Sequence, residues 1–161
     1  MKIEYEIIKK DAFKEHHKKI LSSMLKKQGK VQGDLNSKID RCELICIAKI
    51  NGQDAAIGAI KQKTESSFTN IKAGIPDLSN DFEWELGYLY TNKDYRGRGL
   101  ASVIANTLVD KYGEKNLMSS TEISANSKMV KILENNGFRL FGKPWQSGIH
   151  ENYLGLFLKF K

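Results

Sequence analysis

Apolar and polar positions change period several times along the chain, and each change marks an element. Ile3, Tyr5 and Ile7 alternate with charged neighbours, which predicts a first strand over 3–8 with those three side chains on one face. Phe13, Ile20, Leu21, Met24 and Leu25 then fall on one helical stripe with lysines opposite, so a helix is expected from Ala12 to about Gln28. Asp11 is its expected cap and Gly29 its stop. His16 and His17 lie near its middle, where adjacent side chains point in different directions. Exposed or edge-of-core positions are expected for them, not a shared metal site. Gly29 to Asp40 is polar and connecting, with room for a short second helix around 35–39. Leu44–Ile50 and Ala55–Lys61 are apolar enough for central strands, and Asn51-Gly52 between them is a strong hairpin signal. Thr64 to Asp81 is mostly polar, with Gly74, Pro76 and few anchors. A loop of that length in a compact domain is usually functional or mobile, and this one enters the strand that follows it, so it is expected to form part of the substrate side of a site there.

Glu85 to Tyr90 is rich in β-formers and ends at the turn residues Thr91-Asn92-Lys93-Asp94. From Leu100 onward, Leu100, Ile104 and Leu108, with Ala101, Ala105 and Tyr112, recur at helical spacing. Between this strand and this helix stands Arg96-Gly97-Arg98-Gly99. Two glycines let the backbone approach a ligand, and a first helical turn carries N–H groups without intrahelical partners. With two arginines beside them, these donors suit a pyrophosphate. A Walker loop (G-x-x-x-x-G-K-S/T) and a dinucleotide fingerprint (G-x-G-x-x-G) are both absent.

Farther on, 117–124 predicts a strand, Asn126 caps a helix that turns Met129, Ile132 and Leu133 inward, and Gly137 stops it. Phe138–Phe141 and Tyr153–Phe160 are the last strands, joined by a connection carrying Trp145, Ser147, His150 and Glu151. The resulting order, β–α–(α)–β–β–β–α–β–α–β–β, is an α/β pattern for a single domain over 1–161. Composition changes this picture little. The chain is 40% hydrophobic and 28% charged, with no apolar run of membrane-spanning length and no apolar signal core at its start, so a cytoplasmic protein is expected. Cys42 and Cys46 are expected as buried free thiols, and no Cys/His cluster suggests a metal. The net charge of +7 asks for an anionic partner. The lysines are spread along the chain without any helix-turn-helix, zinc-finger or aromatic RNA-binding pattern, which argues against nucleic acid.

Arg96-x-x-Gly99-x-Ala101 matches the Q/R-x-x-G-x-G/A acyl-CoA signature, and Asn126 to Phe138 matches an N-x-x-(A)-x-x-x-(Y)-x-x-x-G-F helix, in the same order and spacing. On these two motifs the chain resembles the GNAT N-acetyltransferase superfamily. The resemblance implies a GNAT acyl-CoA N-acyltransferase fold, a mixed central sheet of about seven strands with strands 4 and 5 splayed, flanked by about four helices. It implies acetyl-CoA as co-substrate, no metal, and direct transfer to a primary amine on a small molecule or a protein. Arg96, Gly97, Arg98, Gly99, Leu100, Ala101 and Ser102 would hold the pyrophosphate. Leu89, Tyr90 and Thr91 would pair with pantetheine, Asn126 would contact the same arm, and a backbone N–H of the strand would polarise the thioester carbonyl.

Glu85, eleven residues before Arg96, resembles the catalytic glutamate of several members and is the expected general base. Strict alternation would set it on one face with Glu83, Gly87 and Leu89. The chain departs from the pattern at Leu133, where many members carry a tyrosine that protonates the leaving thiolate; His150 and Tyr153 are the substitutes within the sequence. That gap leaves open a non-catalytic acyl-CoA-binding or sensor module of the same fold. The acceptor is not legible, although Glu65, Asp77, Asp81 and Glu83 offer a local acidic region. A homodimer through the apolar last strand is a further expectation.

Overall fold

The computed structural model describes residues 1–148 and 151–161. Its elements follow in the order β1 (Ile3–Lys9), α1 (Glu15–Gln28), α2 (Leu35–Asp40), β2 (Cys42–Ile50), β3 (Gln53–Gln62), β4 (Trp84–Thr91), α3 (Leu100–Tyr112), β5 (Leu117–Glu122), α4 (Ser127–Asn135), β6 (Arg139–Gln146) and β7 (Tyr153–Lys159). The strands form one seven-stranded sheet in the order β1-β2-β3-β4-β5-β7-β6. β4 and β5 run parallel, with α3 as the crossover helix such a pair requires. Their register holds Trp84 opposite Leu117 and Glu85 opposite Met118, at the starts of both strands. A ladder that short is what splayed strands leave, and the expected mixed sheet is present. The chain divides into two compact units, Met1–Lys61 with Leu86–Lys111, and Gln62–Glu85 with Tyr112–Lys161.

In the first unit the hairpin turn forms because Asn51 (φ 49°) and Gly52 (φ 80°) both accept a left-handed backbone, as the tight turn between twisted strands demands. Leu21, Met24 and Leu25 of α1 pack with Ile39 of α2, Ile45 and Ile47 of β2 and Ile57 of β3; Tyr88 and Tyr90 border this core. Gly29 ends α1 at φ 73°, donating its N–H to the Leu25 carbonyl. The start of α1 differs from expectation. Asp11 lies inside a short 3-10 helix, Lys10–Ala12, and α1 begins only at Glu15. Cys42 and Cys46 are buried free thiols, and burial pushes each pKa up to about 12. Neither therefore supplies a thiolate near neutral pH.

His17, expected exposed or at the core edge, is instead only 4% exposed. Its Nδ1 accepts the Lys14 N–H (3.0 Å), filling the capping role that Asp11 does not take. Burial holds its pKa below the usual 6.5; the neighbouring His16 adds to this and Glu6 opposes it. Protonation would place a second donor against the Lys14 N–H. Because the folded pKa is lowered, the unfolded chain binds the extra proton first as pH falls below 6.5. The neutral imidazole's contribution is thus present above 6.5 and is lost below it, down to the folded value. Within that window stability should fall as the pH is lowered. Denaturant titrations of the wild type and of His17→Asn between pH 5 and 8 should show this slope in the former and a flatter one in the latter.

In the second unit the Thr64–Asp81 stretch is not a loose loop. It contains two 3-10 helices, Glu65–Phe68 and Pro76–Asp81. Phe68, Ala73 and Phe82 are buried in one cluster with Met118, Trp145, Leu156 and Leu158. These anchors are spaced irregularly, so no periodicity betrays them. The Ala73 carbonyl accepts the Lys143 N–H (2.9 Å) on β6, the terminal strand of the sheet. Gly142 packs so closely on that carbonyl that a Cβ there would overlap it. The segment thus covers part of an edge strand. Deleting 66–78 would remove core residues, so it cannot isolate an acceptor contribution. β6 also runs farther than expected, to Gln146, with a register break between Phe141 and Trp145 and with Trp145 buried. Pro144 is tolerated because an edge strand need not donate at every position.

The basic excess is not spread evenly. All of the net +7 falls in the first unit, while acidic and basic side chains balance in the second. Among the described residues no helix is long and apolar enough to cross a membrane.

Candidate functional site

The second half of β4 carries a break that alternation does not reveal. Tyr88 has φ 56°, a left-handed backbone inside a strand. For a bulky residue that costs about 1–2 kcal/mol, and it persists only where neighbours hold it. Three contacts do so. Tyr88 and Tyr90 pack on the α1–α2–β2–β3 core, the Lys61 ammonium sits 5.2 Å from the Tyr88 ring centroid, and Gln28 Nε2 donates to the Leu89 carbonyl (3.1 Å). Leu89 turns its side chain to α3. It lies over Gly58 with Ile104 and Leu108, where any Cβ on Gly58 would collide with Leu89 and Ile104. A residue in this conformation interrupts the regular extended backbone of the strand.

β4 leads into the glycine loop through a fixed turn. The Asn92 side chain accepts the Asp94 N–H, its own N–H donates to the Ala55 carbonyl (2.8 Å), and Lys93–Tyr95 forms a 3-10 turn. Arg96 Nε reaches the Thr91 carbonyl at 3.4 Å. Gly97 (φ 82°) and Gly99 (φ 75°) are both left-handed, and no atom lies within 4 Å of a Cβ placed on either. Backbone conformation, not crowding, selects glycine here. The Gly99 carbonyl accepts the Val103 N–H (3.2 Å), the first bond of α3, so the amides of Leu100, Ala101 and Ser102 belong to the donor-rich open turn. Leu100 is buried and pins that turn, while Ala101 is half-buried and Ser102 exposed. Arg96 and Arg98 are exposed, and the Arg98 guanidinium lies 5.8 Å from the Tyr95 ring centroid. Amide donors, a helix N-terminus and two arginines together carry the chemistry that can hold a phosphorylated anion.

The other expected residues lie in the second unit. Glu85 is buried, and its Oε1 accepts both the Thr64 N–H (2.9 Å) and the Thr64 hydroxyl (2.8 Å). Asn126 caps α4 through its Oδ1, which accepts the Met129 N–H (3.3 Å). Leu133 is fully buried, and Tyr153 is 57% exposed at the start of β7. His150 lies outside the described residues. One residue was missed altogether. Glu122 closes β5 as a second buried carboxylate, with Oε2 accepting from Asn152 Nδ2 (3.2 Å). The available signal was a single charge in the otherwise uncharged stretch 117–124.

A mixed sheet with a short parallel ladder at its centre, and a two-glycine loop opening its crossover helix, match an acyl-CoA N-acyltransferase fold. The model of the Acetyltransferase (GNAT) family matches residues 5–138, and the chain belongs to that family. No curated protein matches it in sequence. Among solved structures, it is similar to a chain of the NatC complex bound to Gag peptide and CoA (16% identity, TM-score 0.72, covering 100% of this chain and 99% of that one). It is similar to Arabidopsis thaliana NAA60 in complex with acetyl-CoA (14% identity, TM-score 0.69, 99% and 100%). It is also similar to the ribosomal-protein-S18-alanine N-acetyltransferase from Escherichia coli (12% identity, TM-score 0.65, 97% and 93%). At these identities the likeness concerns the fold.

Proposed function

We propose that this GNAT-family acetyltransferase moves the acetyl group of acetyl-CoA directly onto a primary amine. One observation carries the reading: the broken strand β4 runs through a fixed turn into a loop whose two glycines are left-handed and open, at the first turn of α3. The amides from Gly97 to Ser102, with Arg96 and Arg98, hold the pyrophosphate. The backbone of Leu89, Tyr90 and Thr91 pairs with the pantetheine arm and offers an N–H to the thioester carbonyl. Asn126 is assigned to the same arm on the motif alone. Glu85 takes one proton from the ammonium through water, the free amine attacks the thioester carbon, and the C–S bond breaks to expel CoA as its thiolate, which solvent protonates as the nitrogen gives up its second proton. The positive first unit attracts the multiply charged CoA. One related fold is bound to a peptide and CoA and another is named for a ribosomal-protein alanine, so peptide amines are tested first, followed by small polyamines, amino sugars and aminoacyl-tRNA.

Acetyl-CoA at one hundred times its Kd should stabilise the protein by about 2.7 kcal/mol, visible as a rise in Tm. Thiol release should then depend on the accepted amine. No shift at millimolar acetyl-CoA would sink the reading. A second reading, a non-catalytic acyl-CoA-binding module, is favoured by one feature. The position usually held by a proton-donating tyrosine is Leu133, which is fully buried. A Tm shift without amine-dependent thiol release across the panel would establish it.

A further inference from the structure

The last residue of α1 reaches the strand to which the proposed function assigns pantetheine. Gln28 is half-buried, and Gly29 stops the helix immediately after it. Its amide nitrogen donates to the Leu89 carbonyl, one residue beyond the left-handed Tyr88. A left-handed residue inside a strand redirects the peptide groups beside it, and a main-chain carbonyl drawn into the protein needs a donor. Here a side chain from a different element provides it. Tyr88 and Tyr90, on either side of Leu89, pack on the core containing Leu21, Met24 and Leu25 of the same helix. α1 therefore grips the strained segment through the packing of two aromatic rings and through the Gln28 hydrogen bond, which acts on the main chain.

We propose that Gln28 is a positioning residue for the acyl-donor strand. Its amide fixes the orientation of the Leu89 peptide, and thereby the backbone edge that pantetheine pairs with, without touching the nucleotide end of the ligand. This rests on the assignment of acetyl-CoA to β4 made above. It predicts a division between two parts of one ligand. The pyrophosphate loop after Asn92 is held by its own bonds, Asn92 N–H to the Ala55 carbonyl and Asn92 Oδ1 to the Asp94 N–H, so it should be insensitive to Gln28.

Gln28→Met keeps length and helix propensity and removes the donor; Gln28→Lys restores a donor. By calorimetry, Gln28→Met should weaken acetyl-CoA binding by about tenfold, the scale of one lost hydrogen bond, and leave adenosine 3′,5′-bisphosphate, which has no pantetheine arm, unchanged. Gln28→Lys should recover most of the acetyl-CoA affinity. Equal weakening of both ligands would make Gln28 merely structural, and unchanged acetyl-CoA affinity in Gln28→Met, or no recovery in Gln28→Lys, would overturn the proposal while the proposed function stands. Wild-type protein that fails to bind acetyl-CoA would instead remove the proposed function, and this inference with it.

Discussion

Replacing Gly99 by glutamate should abolish the acetyl-CoA-dependent rise in Tm while the unliganded protein stays folded. Nothing lies within 4 Å of a Cβ at Gly99, so the side chain meets no obstacle. Its left-handed backbone (φ 75°) costs an L-residue about 1–2 kcal/mol, and a carboxylate at a helix N-terminus returns up to about 1 kcal/mol. Folding is therefore nearly unchanged. For the ligand the same carboxylate stands where the pyrophosphate should sit. Two like charges about 4 Å apart repel by about 4 kcal/mol at the effective dielectric of a protein surface, which is of order a thousandfold in Kd. Gly99→Ala separates the two effects, because it carries the strain without the charge and should keep most of the thermal shift. If Gly99→Glu still shows the full shift, the loop is an ordinary turn and acetyl-CoA binds elsewhere.

The parts of this molecule that were legible in the sequence obey local rules. Asn51-Gly52 closes a hairpin because both residues tolerate φ above zero, Gly29 and Gly137 end helices, and Asn126 caps α4 with its side chain. The glycine loop was legible for the same reason, since two glycines between a strand and a helix mark a backbone few other residues adopt. What escaped depends on distant partners. Asp11 is a good cap by type, but His17, buried against the core, supplies the acceptor for Lys14 instead. The left-handed Tyr88 is invisible because tyrosine disfavours that conformation; tertiary packing and Gln28 impose it. Phe68 and Ala73 follow no period, so a packed segment looked like a long loop. Charge was misjudged similarly, since even spacing along the sequence conceals its concentration in one unit.

Glu85→Gln should lower turnover near neutral pH by more than tenfold while leaving acetyl-CoA affinity intact, because a positioned general base contributes on the order of 10²–10⁴. The substitution is well suited to its site. Glu85 Oε1 accepts twice from Thr64, and the glutamine carbonyl oxygen can accept the same two bonds, so the charge is removed and both Thr64 bonds are kept. Those bonds also define the competing role, a carboxylate that merely anchors the start of the Thr64–Asp81 segment. An anchor predicts altered Tm with an unmoved pH–rate profile; a base predicts loss of the acidic limb of that profile. Glu122 supplies the contrast. It too is buried, but it ends β5, and in parallel α/β arrangements ligands gather at the carboxyl ends of strands. Glu85 lies instead in the paired starts of β4 and β5. Measuring Glu122→Gln beside Glu85→Gln therefore decides the assignment. A loss confined to Glu85→Gln places proton removal on β4, and a loss confined to Glu122→Gln moves it to β5. Full turnover in both would mean that neither carboxylate takes the proton, leaving positioning and the oriented N–H of β4 to carry the reaction.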